Sequence, residues 1–162
     1  MNFHKIESTN LSNGLGWRVV LWVSGCSHHC PGCHNPETWD AESGRPFTEA
    51  EMRKLISLLE KPYIKGLTLS GGDPLFEGNR EAVEQIVKNV KLLCPTKDIW
   101  LYTGYEYDEI KDLEILKYVD VLVDGKYIQE QRDITLAFRG SKNQKIIYLE
   151  NKDDYKSKFT HS

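Results

Sequence analysis

The chain has 162 residues, 40% of them hydrophobic and 28% charged, with a formal net charge of −3. That is long enough to bury a core and ordinary for a globular protein, and it lacks the basic excess that a nucleic-acid ligand would demand. No apolar stretch reaches membrane-spanning length, and Met1 to Ser8 carries no signal-peptide core, so a cytoplasmic protein without membrane attachment is expected.

Trp17–Val23 is a continuous β-prone run, suited to a buried parallel strand. Thr48-Glu-Ala-Glu51 is a capping box that opens a helix running to about Leu59. Leu67–Ser70 reads as the second strand and Arg80–Leu93 as the second helix. Asp98–Thr103 is the third strand, Tyr107–Tyr118 the third helix, Val119–Val123 the fourth strand and Lys145–Leu149 the fifth. Trp17, Trp22 and Trp100 fall in strands and read as core. Alternating strands and helices predict an α/β fold of βα units on a parallel sheet. A closed eight-stranded barrel wants about 250 residues. The expectation is therefore a shortened, open parallel (β/α) partial TIM-like barrel, as a single domain over residues 1–162.

Three of the four cysteines fall in one octet, Cys26-Ser-His-His-Cys30-Pro-Gly-Cys33, with the spacing C-x3-C-x2-C. In a cytosolic protein thiols stay reduced, so clustered cysteines mean metal or redox chemistry rather than disulfides. Three ligands leave one coordination position open, which suits a site that binds and activates something. An iron–sulfur cluster is one reading. Zinc closed by His28, His29 or His34 is another, and a redox dithiol at Cys30 and Cys33 a third, beside ordinary buried cysteines. The dithiol reading leaves Cys26 without a role, and Pro36 would hinder the helix it expects. His28 and His29 read as loop surface, and the lone Cys94 as core. The cysteine loop follows the first strand. Ser70–Pro74, Thr103–Tyr105 and Asp124–Lys126 follow the next three, on the rim where parallel α/β folds bind ligands. Gly71 and Gly72 would allow close backbone approach, and Asp73 offers a carboxylate suited to an ammonium group.

The cysteine triplet after strand one, followed by Gly71-Gly-Asp-Pro74 after strand two, resembles the radical S-adenosylmethionine superfamily. The ordered segments Asn13–Arg18, Ser24–Cys26, Cys30–Asn35, Ser70–Pro74, Trp100–Tyr105, Val121–Lys126 and Arg139–Gln144 are similar to one family within it. That family is the activating proteins of anaerobic ribonucleoside-triphosphate reductases. The resemblance implies a [4Fe-4S] cluster on Cys26, Cys30 and Cys33, with S-adenosylmethionine chelating the open iron. It places the methionyl amino group at Gly71, Gly72 and Asp73, and the adenine against the main chain of Gly32, Cys33 and His34. Gly32 stands where many members carry an aromatic residue, so only backbone contacts are implied there. Thr103, Asp124, Lys126 and Arg139 would face the cofactor, with Asn143 and Gln144 beside them.

No residue is implied as a general acid or base. Reductive cleavage of S-adenosylmethionine would instead generate a glycyl radical on the large reductase subunit, fed by a one-electron donor such as reduced flavodoxin. Two other functions stay open: a radical enzyme acting on a small metabolite, such as a deazaguanine-forming synthase, and a zinc-binding structural or interaction module. A thiol oxidoreductase is the remaining alternative. Gly72→Val is expected to weaken cofactor binding and leave iron content intact.

Overall fold

The computed structural model describes residues 1–149; the rest of the expected 1–162 domain lies outside the described residues. Seven strands form one open sheet: β1 (Asn2–Asn10), β2 (Arg18–Val23), β3 (Arg45–Pro46), β4 (Gly66–Gly71), β5 (Asp98–Tyr102), β6 (Val121–Asp124) and β7 (Lys145–Tyr148). Their order is β3-β1-β2-β4-β5-β6-β7. The central four, β2, β4, β5 and β6, are parallel. Helices α1 (Glu49–Leu59) and α2 (Arg80–Leu93) cross over between them, and α3 (Tyr107–Ile110) is a single short turn before a 3-10 segment at Glu114–Tyr118. No helix among the described residues is long and apolar enough to cross a membrane.

The two faces of the sheet differ. Leu21, Leu69 and Leu101 pack with Leu55 and Leu59 of α1 and with Val83, Val87 and Val90 of α2 in the main core. The other face carries a smaller cluster, Trp100, Val121 and Val123, with Leu15, Tyr102 and Phe138 packed against it. Helix α1 starts as its sequence dictates: the Glu51 carboxylate accepts the Thr48 N–H at 2.8 Å, closing the capping box.

A wholly buried Arg18 ties the N-terminal ends of the central strands together. Its Nε donates to Thr68 Oγ1 at 2.7 Å, Nη1 to the Leu15 carbonyl at 2.9 Å and Nη2 to the Leu67 carbonyl at 2.8 Å. It pairs with Asp98 at 2.6 Å and lies 5.5 Å from the Trp100 ring centre. Removing one partner of such a pair strands the other charge, at a cost of about 3–5 kcal/mol. Arg18→Met is therefore expected to lower folding stability by that amount, seen as a reduced urea midpoint with an unchanged slope.

The parallel-sheet expectation is corrected to a mixed sheet. β1 and β7 run antiparallel to their neighbours, as does the two-residue β3. Neither the β1–β2 nor the β6–β7 connection contains an α-helix, and antiparallel neighbours need no crossover helix. β1 has no counterpart in the sequence reading. A register shift between Phe3 and Lys5 sets Phe3 opposite Val23 and Ile6 opposite Leu21. The extra residue puts both side chains on the core face and breaks the period-two pattern that would have announced a strand. The third helix, expected over Tyr107–Tyr118, breaks after Ile110. Asp108 and Asp112 would sit one turn apart in a continuous helix, a repulsive pair. Trp17, expected in the core, is 46% exposed.

Candidate functional site

The loop after β2 is closed on itself by main-chain bonds. Gly25 N–H donates to the Thr38 carbonyl at 2.7 Å and Cys26 N–H to the Trp39 carbonyl at 3.0 Å, so the residues between form a loop pinned at its neck. Cys26, Cys30 and Cys33 are all half-buried and line one cleft of about 480 Å³ at the C-terminal ends of the parallel strands. Main-chain N–H groups surround the sulfurs. Asn35 N–H donates to Cys33 at 3.4 Å, and the main chain of His28 and His29 beside Cys26, and of Tyr127 beside Cys30, favours the thiolate of each. Burial pushes the Cys26 and Cys30 thiols up, with those N–H groups pulling the other way. A redox dithiol needs a thiol driven down instead, so this environment argues against one. Among the described residues no three His, Cys, Asp or Glu side chains are already gathered at metal-ligand spacing. The triad is three thiols lining one cleft, with main-chain N–H groups nearby.

Asp73 organises the opposite wall. It is 1% exposed. One carboxylate oxygen accepts from Leu75 N–H at 2.8 Å and the Thr103 hydroxyl at 2.9 Å. The other accepts from Gly104 N–H at 2.9 Å and lies 2.7 Å from His28 Nε2. A buried carboxylate with this many hydrogen-bond partners is held immobile. His28, expected on the loop surface, is therefore corrected: its side chain is 7% exposed and bonded across the cleft wall. Nothing local announced this, because its partner follows the neighbouring strand β4, 45 residues further along the chain. His29 is exposed, as expected, and stacks on Trp39 at 4.5 Å. His34 meets Tyr127 edge-on at 5.4 Å. With His28 already committed to Asp73, the zinc reading loses its best-placed fourth ligand.

A family model described as a 4Fe-4S single cluster domain matches residues 12–147. Curated relatives named anaerobic ribonucleoside-triphosphate reductase-activating protein match nearly end to end. The one from Enterobacteria phage T4 is 50% identical over 90% of this chain and 93% of its own. That from Vibrio cholerae is 50% identical over 90% and 97%, and that from Escherichia coli K12 43% over 92% and 99%. The chain belongs to the family of anaerobic ribonucleoside-triphosphate reductase-activating proteins.

In this member of the family the structure sorts the remaining residues. Gly71, Gly72, Thr103, His34 and Arg139 line the same cleft as the cysteines. Gly32 is exposed, with the Gln129 side chain over it. Asp124 is 4% exposed and does not line the cleft. Its oxygens accept from Tyr107 N–H at 2.9 Å and Lys145 N–H at 3.2 Å, so it anchors α3 and β7 rather than meeting a ligand. Lys126 is exposed, and Gly125 takes its expected place in the lining. Asn143 and Gln144 tie the β6–β7 connection together, Asn143 donating to the Lys126 carbonyl at 2.7 Å and Gln144 to the Gly125 carbonyl at 3.1 Å, and Gln144 also lines the cleft.

Lining residues that the sequence reading did not single out include Leu136, Phe138 and the half-buried Tyr102. Tyr102 donates to the Phe138 carbonyl at 2.8 Å, and burial holds its phenol far above the ordinary value. Phe138 itself adopts a left-handed backbone, φ 60°, and packs edge-on against Trp100 at 5.2 Å. An aromatic run such as Trp100-Leu-Tyr102 signals a strand, and only the tertiary fold shows which side faces a ligand.

Proposed function

We propose that this protein activates an anaerobic ribonucleoside-triphosphate reductase by generating a glycyl radical on its large subunit. The observation that carries this reading is the convergence of three cysteine sulfurs on one open cleft, in a chain of this family. Cys26, Cys30 and Cys33 would hold a [4Fe-4S] cluster, and S-adenosylmethionine would lie between it and the Gly71–Gly72 edge, against the main chain of Gly32, Cys33 and His34. The chemistry such a pair supplies when bound is one-electron cleavage of a sulfonium, ending in hydrogen abstraction from a glycine Cα. The residues of the chain orient and shield; none moves a proton. Asp73 and Thr103 act on this reading by fixing loops rather than by touching the cofactor, while Arg139 on the cleft wall is free to meet cofactor or partner. The fold would be a partial barrel of the radical S-adenosylmethionine type, one domain over residues 1–162. Its open side would admit a loop of the reductase. A cytoplasmic setting and a donor such as reduced flavodoxin complete the proposal.

The test uses reductase deuterated at glycine Cα, mixed without air with reduced, cluster-loaded protein and S-adenosylmethionine. The expected result is deuterium in 5′-deoxyadenosine and a carbon-centred radical on the reductase whose α-hydrogen splitting has collapsed. A fully reduced protein that cleaves the cofactor yet never takes label from a folded reductase would overturn the reading in favour of a small-metabolite substrate.

A further inference from the structure

His28 lies between two of the cysteines yet is bonded to neither. Its imidazole is wedged among three elements. Nε2 is 2.7 Å from the Asp73 carboxylate, and the ring meets Tyr105 edge-on at 4.6 Å. Tyr105 in turn lies 5.4 Å from the Arg80 guanidinium at the start of α2. Gly104 forms the floor: a Cβ there would come within 2.8 Å of the His28 ring, so only glycine leaves the space. Asp73 does not depend on His28 for its position, since Leu75, Thr103 and Gly104 already hold it. The main chain of the same residue faces the other way. The main-chain N–H groups of His28 and His29 lie near enough to the Cys26 sulfur to favour its thiolate, and His29 makes the turn with φ 47°.

We propose that His28 is a positioning residue for the cluster: its side chain, anchored on Asp73, fixes the turn between Cys26 and Cys30 and with it the main-chain dipoles beside the Cys26 sulfur. This rests on the cluster reading above. Main-chain N–H dipoles near cluster sulfurs favour the reduced, more negative state and are one of the means by which a protein sets the potential. Releasing the anchor lets the turn swing and carries those dipoles away from the sulfur. The loop then grips the cluster less firmly, and the reduced state is less favoured.

The experiment compares anaerobically reconstituted wild type with His28→Phe, His28→Asn and His28→Gln. Phenylalanine keeps a ring against Tyr105 and loses the bond. Asparagine is too short to reach Asp73, whereas the glutamine amide reaches it. Exposed Lys111, outside the cleft, replaced by glutamine, is the control. Two quantities are read: the rate at which cluster absorbance is lost to excess chelator without oxygen, and the midpoint potential from a redox titration followed by electron paramagnetic resonance. His28→Phe and His28→Asn are expected to lose cluster about tenfold faster and to show a more negative potential. His28→Gln should recover most of both, and Lys111→Gln should match wild type.

Far-UV circular dichroism of the metal-free variants separates a misfolded chain from a loosened loop, and either disrupting variant suffices if the other misfolds. Wild-type rate and potential in the disrupting variants would overturn the proposal. So would a glutamine variant as impaired as phenylalanine, since packing alone would then be at work. A wild-type protein that takes up no iron and sulfide would sink the cluster reading and this inference with it, before any variant is compared.

Discussion

Alanine at Cys26, Cys30 or Cys33 is expected to abolish the cluster outright, while Cys94→Ala retains it. The three sulfurs line one cleft. Cys94 is 5% exposed at the end of α2, inside the main hydrophobic core. A cubane cluster with one open iron has only three protein ligands, so losing any one leaves two, too few to retain it. Anaerobically reconstituted wild type and Cys94→Ala should each bind about four irons and four sulfides per chain, and each triad variant essentially none. Cys94→Ala removes a buried sulfur and should cost about 1 kcal/mol of folding stability without touching the iron count. Iron and sulfide assays, read beside a urea titration, check both halves. One triad variant with full iron and sulfide would show that the loop is not the ligand set, and zinc without sulfide in the wild type would revive the structural-module reading.

Gly72→Val is expected to destabilise the protein and strip its iron, a correction of what the motif alone suggested. A Cβ at Gly72 would not enter the cleft. It would lie 2.5 Å from the Gly25 carbonyl oxygen and 2.9 Å from the Thr38 carbonyl oxygen, both main-chain atoms at the neck of the cysteine loop. That neck depends on bonds of 2.7 Å from Gly25 N–H to Thr38 and from Asp73 N–H to Gly25. Overpacking of a filled site costs about 1–3 kcal/mol where side chains can shift, and backbone is less forgiving. Gly72→Ala carries the same first carbon, so it should behave nearly as badly as valine. Had the space belonged to the cofactor, alanine would be mild and only S-adenosylmethionine affinity would fall. The iron content and urea midpoint of the two variants decide between these outcomes. Full iron loading with normal stability would restore the cofactor role of that space.

The contrast at Gly72 shows where sequence reading reaches its limit in this chain. The capping box at Thr48, the amphipathic run of α2 and the apolar strands β4, β5 and β6 follow from local pattern, and all lie close to where that pattern puts them. The cysteine spacing likewise pointed to this loop, and the three thiols within eight residues line one cleft. What stayed hidden depends on distant partners. Asp73 lines the cleft beside its two glycines, but its burial among four hydrogen-bond partners is visible only once β4 and β5 are side by side. Asp124 looked like rim and proved to be an anchor for two backbone N–H groups. The strand β1 was concealed by its register shift, and the exposure of Trp17 by its place at the lip of the sheet rather than within it.

The place of Tyr127 carries a consequence for how the protein is made. Cys26, Cys30 and Cys33 leave the ribosome early, but the main chain of Tyr127 lies beside Cys30, and the loop that carries Cys30 is clasped through Asp73 to Gly104. A nascent chain holding only the cysteine segment has the thiols and none of the groups that orient them. Synthesis runs from the N-terminus and domains fold as units, so the cleft exists only once β6 has emerged and joined the sheet. On the proposed ligand set, cluster insertion would follow translation, on a fold that is already standing.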